Sequence, residues 1–184
     1  MTALLRLHED LFARLESLAP AVLPTLARLV FAGVLTGYFW KSAQTKIGDG
    51  VFGFLTIDFG AYTQIFPRKF EALGYDPSGF GLFDKLVILA GTYAEFVLPL
   101  LIVVGLFTRL AALGMIGFIV VQSLTDIIGH NADASTIGAW FDRHSNALIL
   151  DQRAFWVFLL LFLVLRGGGP LALDRLVFRQ AVSG

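Results

Sequence analysis

Leu4, Leu7, Leu11, Leu15 and Leu18 recur at helical spacing, while Glu9, Asp10, Arg14 and Glu16 fall on other faces. This pattern predicts an amphipathic helix over residues 1–18 lying on a membrane surface. Beyond Pro20 and Pro24 the chain turns apolar on all faces. Four such stretches follow, over residues 22–42, 86–107, 110–129 and 154–169. Each is near the roughly 20 residues that carry a helix across a bilayer core. In hydrocarbon an open chain satisfies its backbone only as helix, so the expected fold is an all-α integral membrane four-helix bundle in a single domain. The turn around residues 105–109 is so short that the second and third spans form an antiparallel hairpin.

Between the first two spans lies a loop, about residues 43–83, that is too aromatic for a solvated linker. Phe66, Phe70 and Leu73 share a helical face within it, with Arg68, Lys69 and Glu71 elsewhere. It is expected to fold back as an interfacial or re-entrant cap, either a lid over a lipophilic entrance or an ordinary aromatic belt. Gly33 and Gly37 have the spacing that permits close helix approach. The fourth span, rich in Phe and Leu, is expected to face mainly lipid, and Gly167, Gly168 and Gly169 to stop it.

Composition agrees with the pattern. Of the 184 residues 57% are apolar and 15% charged, against about 45–50% and 25% in soluble domains. The absence of cysteine excludes disulfides, thiolate nucleophiles and Cys-ligated metal, so any redox role needs a bound cofactor or a partner's thiols. Zero net charge argues against nucleic acid as a partner. The lipid bilayer is the expected environment, with partner subunits or further copies of the chain around it. Basic residues divide evenly between the two sides, but Arg109, Arg166, Arg175 and Arg179 sit in short segments beside spans, where the positive-inside bias is counted. Both termini are therefore expected in the cytoplasm.

Ionisable groups inside spans carry the functional signal, because each costs at least about 2.5–3.5 kcal/mol at a helix centre. Glu95 lies near the middle of the second span, too deep for its short side chain to reach a surface. Arg28 in the first span matches it in height, which predicts an ion pair or a polar pocket. Lys41 and Asp126 form a second height match, with Gln122 one turn below Asp126. Asp126, His130, Asp133, Asp142 and His144 contain metal-ligand types, but their spacing is too weak to assign a metal site. Haem and a phosphate-binding loop find no support in the sequence.

Several segments taken together resemble the DoxX family of small four-helix membrane proteins. They are Arg28-Leu29-Val30-Phe31-Ala32-Gly33 and Ser42-Ala43-Gln44-Thr45-Lys46 in and after the first span, and Ala94-Glu95 in the second. Gly105-Leu106-Phe107-Thr108-Arg109-Leu110 at the hairpin and Gly169-Pro170-Leu171-Ala172-Leu173-Asp174-Arg175 after the fourth complete the set. The chain departs from the family pattern in its long first loop, its polar insert around residues 130–150, and Ala172 where the family often has Ser.

The resemblance implies a membrane subunit of an oxidoreductase system of the bacterial inner membrane, including thiosulfate-to-quinone electron transfer. In that case Glu95 is the expected catalytic proton carrier of a quinone pocket, with Arg28, Tyr38, Lys41, Gln122 and Asp126 as ligand-binding candidates. The competing expectations are a noncatalytic scaffold that recruits soluble redox or metal-handling proteins and, last, a small transporter.

Overall fold

The structure is a computed structural model. It describes residues 2–182, with side chains described from residue 4 to residue 177, so the side chain of Arg179 falls outside the described residues. Four of the described helices are long and apolar enough to cross a membrane. We number helices along the chain: α1 (residues 2–44), α2 (Phe59–Ile65), α3 (Pro67–Ala72), α4 (Leu82–Val104), α5 (Thr108–Gly129), α6 (Ala134–Ile137), α7 (Leu148–Arg166) and α8 (Leu173–Val182).

Residues 2–18 are helical, as their leucine spacing predicts, but they are not a separate helix. α1 runs unbroken through Pro20 and Pro24 to Gln44, with a π-helical turn at Ala32–Thr36. Around the prolines the chain offers alanine, a strong helix former, and no glycine, so nothing competes with helix beyond two missing N–H groups. At 1.5 Å per residue the 41-residue stretch Leu4–Gln44 is about 60 Å long, twice the hydrocarbon thickness. Its first half leaves the bundle, and Leu4, Leu7, Leu11, Leu15 and Leu18 are all exposed.

From Pro24 onward α1 packs into a ring in which α4 and α7 flank it and α5 touches both of those helices. One core fills the centre, with Phe31, Leu35 and Phe39 from α1, Ile102 from α4, Met115 and Ile119 from α5, and Leu160 and Leu163 from α7. α7 begins six residues before the expected start, in a π-helical turn at Leu148–Gln152. It is two-sided: Phe155 and Phe158 are exposed, whereas Leu160 and Leu163 are fully buried. Gly33 and Gly37 do not mediate helix contact, since a Cβ at either position would meet nothing within 4 Å.

The cap between α1 and α4 has its own aromatic core. Tyr62, Phe70 and Phe80 pack on one another and on Ile88 of α4, with Phe66 and Leu73 against them, so the predicted apolar face is the buried one. α4 therefore extends past the end of α1 and carries the cap on its first turns. This arrangement sets the depth of Glu95. It stands level with Ser42, two residues from the end of α1, rather than at the centre of the bundle.

Candidate functional site

Between α4 and α5, beneath the cap, lies a cavity of about 470 Å³. Small residues make the space: Ala90, Gly91 and Ala94 on α4 face Gly114 and Gly117 on α5. A Cβ at Gly117 would meet nothing within 4 Å, so this glycine borders open volume. Ala90, Gly114, Gly117 and Val121 are exposed at the mouth. Gly114, Gly117 and Val121 lie well inside a candidate span, so this side of the mouth is on the apolar outer face of the bundle, while Asp126 and the exposed His130 line its other end. The cap contributes Gln64 and Ile65 to the wall.

The polar end of the cavity is built on Glu95, which is 2% exposed. Its partner is Lys46, itself 6% exposed, whose Nζ donates to Oε2 at 2.8 Å and to Oε1 at 3.1 Å. Ser42 Oγ donates to Glu95 Oε1 at 3.0 Å, and Lys46 Nζ reaches Ser42 Oγ at 2.7 Å and the Ser42 carbonyl at 3.1 Å. A carboxylate and an ammonium can both be retained at this depth because each satisfies the other and Ser42 takes up remaining bonding capacity.

The expected pairing of Glu95 with Arg28 is thus corrected. Arg28 sits at the opposite end of the bundle, where Nε donates to Ile102 O at 3.0 Å, Nη2 to Val103 O at 2.6 Å and Nη1 to Gly168 O at 3.1 Å. The guanidinium fork caps carbonyls at the end of α4 and ties them to the loop after α7. The expected Lys41–Asp126 pair is corrected too. Lys41 is exposed and lies outside the cavity, whereas Asp126 Oδ2 accepts from Arg153 Nη2 at 2.6 Å. Arg153 is buried and also donates to Ser123 Oγ at 2.9 Å.

Of the ligand-binding candidates, Gln122 and Asp126 line the cavity with Glu95, and His130 joins them. Tyr38 stands behind Gln122, whose Nε2 donates to Tyr38 Oη at 2.9 Å, and its ring packs on Trp156. Among the described residues the buried Gln122 Oε1 has no hydrogen-bond partner. His130 Nε2 lies 3.1 Å from the Gln64 carbonyl and so ties the end of α5 to the cap. Among the described residues no three Asp, Glu or His side chains converge as metal ligands. Asp133 caps α6 through Ser135 Oγ and Thr136 N, and Asp142 accepts from His144 N. Those contacts hold Asp133 below the ordinary carboxylate value of 3.8.

Sequence reasoning about charges within spans missed Lys46 and Arg153, because both lie at the edge of a span. Each had a usable signal. Ser42 and Lys46 are four apart, hence on one helical face. Asp126 near the end of one span and Arg153 near the start of the next must come to the same end of an up-down bundle.

At the end opposite the cavity, the hairpin and the segment after α7 interlock. Asp174 accepts from the backbone N–H of Phe107, at 2.5 Å, and of Thr108, at 2.9 Å, which caps the start of α5, and its own N–H donates to Gly105 O at 2.8 Å. Gly105 has φ +74°, and a Cβ there would lie 2.7 Å from Ala172 Cβ and 2.8 Å from Arg28 Cζ. Three of the segments in which the sequence resembles DoxX proteins, around Arg28, the hairpin and the stretch after α7, therefore meet at this end, while Ser42–Lys46 and Ala94-Glu95 meet at the other.

A family model for DoxX matches residues 23–126, which is more than half of the chain and takes in Arg28, Ser42, Lys46, Glu95 and the hairpin. The chain belongs to the DoxX family. No match was found among curated proteins or solved structures. The family match spans α1 from the bundle entry to Asp126 in α5, so it covers most of the cavity wall and stops short of Arg153 and Asp174.

Proposed function

We propose that this DoxX-family chain is the membrane-embedded subunit of a quinone-linked redox system, and that its cavity takes the head of a membrane quinone. The observation that carries this reading is a space of about 470 Å³ that opens in part on the apolar outer face of the bundle and ends on Glu95, Lys46 and Ser42. Its size falls in the roughly 300–1,000 Å³ range of small-molecule sites, with mainly apolar walls and few polar groups. The apolar side of its mouth admits ligands that partition into the bilayer.

The residues fit both redox forms of such a head. Lys46 and Ser42 can donate to a carbonyl oxygen, and Gln122 Oε1, buried without a partner among the described residues, can accept from a hydroxyl of the reduced form. In this pair the Lys46 ammonium carries the proton that can be handed to a reduced head, and the Glu95 carboxylate is the group that can take one up when the head is oxidised. The chain lacks cysteine and so has no thiol couple of its own; in this reading the electrons are supplied by a redox-active partner subunit. The reading includes the bacterial inner membrane as the location, with both termini cytoplasmic.

The test is quinone retention by the purified chain, followed by titration with a short-chain ubiquinone analogue. Wild type binds and Gly117→Leu, which fills the cavity from an unobstructed position, does not, while both stay monodisperse with the same helix content. Equal binding by the two, or none by wild type, refutes the proposal. A second reading, a scaffold that recruits soluble partners, draws on the exposed leucines in the projecting half of α1. It predicts that deletion of residues 2–18 abolishes partner capture while Gly117→Leu leaves it intact.

A further inference from the structure

The opposite end of the bundle holds a second built hollow, unrelated to the quinone cavity. A basin of about 500 Å³ lies between α1 at Pro20, the end of α7 at Arg166 and the start of α8 at Arg175. It adjoins a smaller hollow of about 230 Å³, walled by Leu23, Pro24 and Phe162 and by Glu16, with Pro20 and Arg166 common to both. We propose that this pair of hollows binds a phospholipid, its phosphodiester on Arg166 and Arg175 and its chain against Leu23 and Phe162.

Charge comes first. Arg166 and Arg175 are exposed, and neither makes an ion pair or side-chain hydrogen bond among the described residues. Two guanidinium forks without acceptors, on either side of a concave surface, match phosphate oxygens. Asp174 also lines the basin, but its carboxylate is turned to the backbone N–H groups of Phe107 and Thr108. The start of α8 adds the positive end of a ten-residue helix beside Arg175.

Depth and shape then select a lipid over a free anion. Arg166 is the last residue of a candidate span, which puts it where the hydrocarbon core ends and headgroups begin. Beside it the smaller hollow has an apolar wall of Leu23, Pro24 and Phe162, against which an acyl chain can lie, and two charged residues, Glu16 and Arg166. Glu16, at the rim of that hollow, is an acceptor for a headgroup ammonium, so a zwitterionic phosphoethanolamine head satisfies both signs where a phosphoglycerol head satisfies one.

Native mass spectrometry of the full chain in detergent, titrated in turn with phosphatidylethanolamine, phosphatidylglycerol and inorganic phosphate, tests this. Wild type is expected to hold one phosphatidylethanolamine, and Arg166→Gln/Arg175→Gln to weaken it by at least about tenfold. Glu16→Gln should erase the preference for phosphatidylethanolamine over phosphatidylglycerol. Arg109→Gln, at an exposed arginine outside both hollows, should change neither. Both targeted arginines are exposed, so unchanged helix content and gel-filtration volume certify the fold. Equal lipid binding by wild type and the double variant overturns the proposal. Displacement of the lipid by inorganic phosphate at similar concentration overturns it in favour of a plain anion site.

Discussion

Removing Lys46 tests whether Glu95 is held by a partner or by burial alone. Lys46→Met keeps the length of the side chain and deletes the ammonium that lies 2.8 and 3.1 Å from the two carboxylate oxygens. Glu95, 2% exposed, then retains Ser42 Oγ as its one side-chain donor. Breaking a buried pair from one side costs about 3–5 kcal/mol, because the remaining charge is left uncompensated. For a chain of this size each kcal/mol moves the midpoint by about 2–4 °C, so thermal unfolding in detergent should fall by about 6–20 °C. Glu95→Gln should lose a similar amount by stranding the ammonium. The double variant Lys46→Met/Glu95→Gln removes both charges, so it should lie within about 2 kcal/mol of wild type, a coupling of several kcal/mol. Additive losses in the double variant, or a drop below about 1 kcal/mol for Lys46→Met, would show that the two groups do not share an ion pair.

Further expectations concern the rest of the chain. Arg28→Gln removes donors to three backbone carbonyls at the end of α4 and after α7. It should destabilise by about 3 kcal/mol or more, read as a lower midpoint with Gly117→Leu as the unaffected control. Gly105→Ala combines a left-handed backbone with contacts under 3 Å to Ala172 and Arg28. It should cost about 2–5 kcal/mol, visible as lost folded yield. The Asp133 carboxylate is held below its ordinary 3.8 by Ser135 and Thr136. Its cap on α6 is therefore fully present above that value and lost as pH falls through the lowered one, so Thr136 amide protection should persist to about pH 4 and decline below it. Asp133→Ala should show no such decline. Finally, a single cysteine at Arg68, exposed in the cap, should react with an impermeant maleimide in whole cells, and protection there until lysis would reverse the proposed orientation.

The spans, the hairpin and the cap were legible in the sequence because each rests on a local period. Leucine spacing, apolar runs and the shared face of Phe66, Phe70 and Leu73 are read directly from neighbouring residues. The break at Pro20 was misplaced because proline removes one N–H yet does not end a helix that has no competing cap. At the site, Glu95 and Gln122 stood out as polar groups inside apolar runs, and both line the cavity. Their partners did not stand out. Equal depth was inferred from residue counts within each span, but α4 rises past the end of α1 to carry the cap, which lifts Glu95 from Arg28 toward Lys46. Pair identity depends on that offset between helices, which no single span encodes.

The two ends of the bundle then follow from how their cations are used. At the hairpin end Arg28 gives its bonds to backbone carbonyls, Asp174 takes backbone N–H groups, and Ala172 fills the space at Gly105. Every one of these groups is spent on joining chain segments, so that end is a fixed brace. At the capped end Lys46, Ser42 and Glu95 bond mainly to one another beside open volume, and Gln122 keeps an acceptor unfilled among the described residues. Side chains that satisfy each other can re-pair with a ligand at little cost, whereas donors committed to helix ends cannot without undoing the fold. The proposed ligand site therefore falls at the Lys46–Glu95 end, while Arg28 ties α1 to the end of α4 and to the loop after α7.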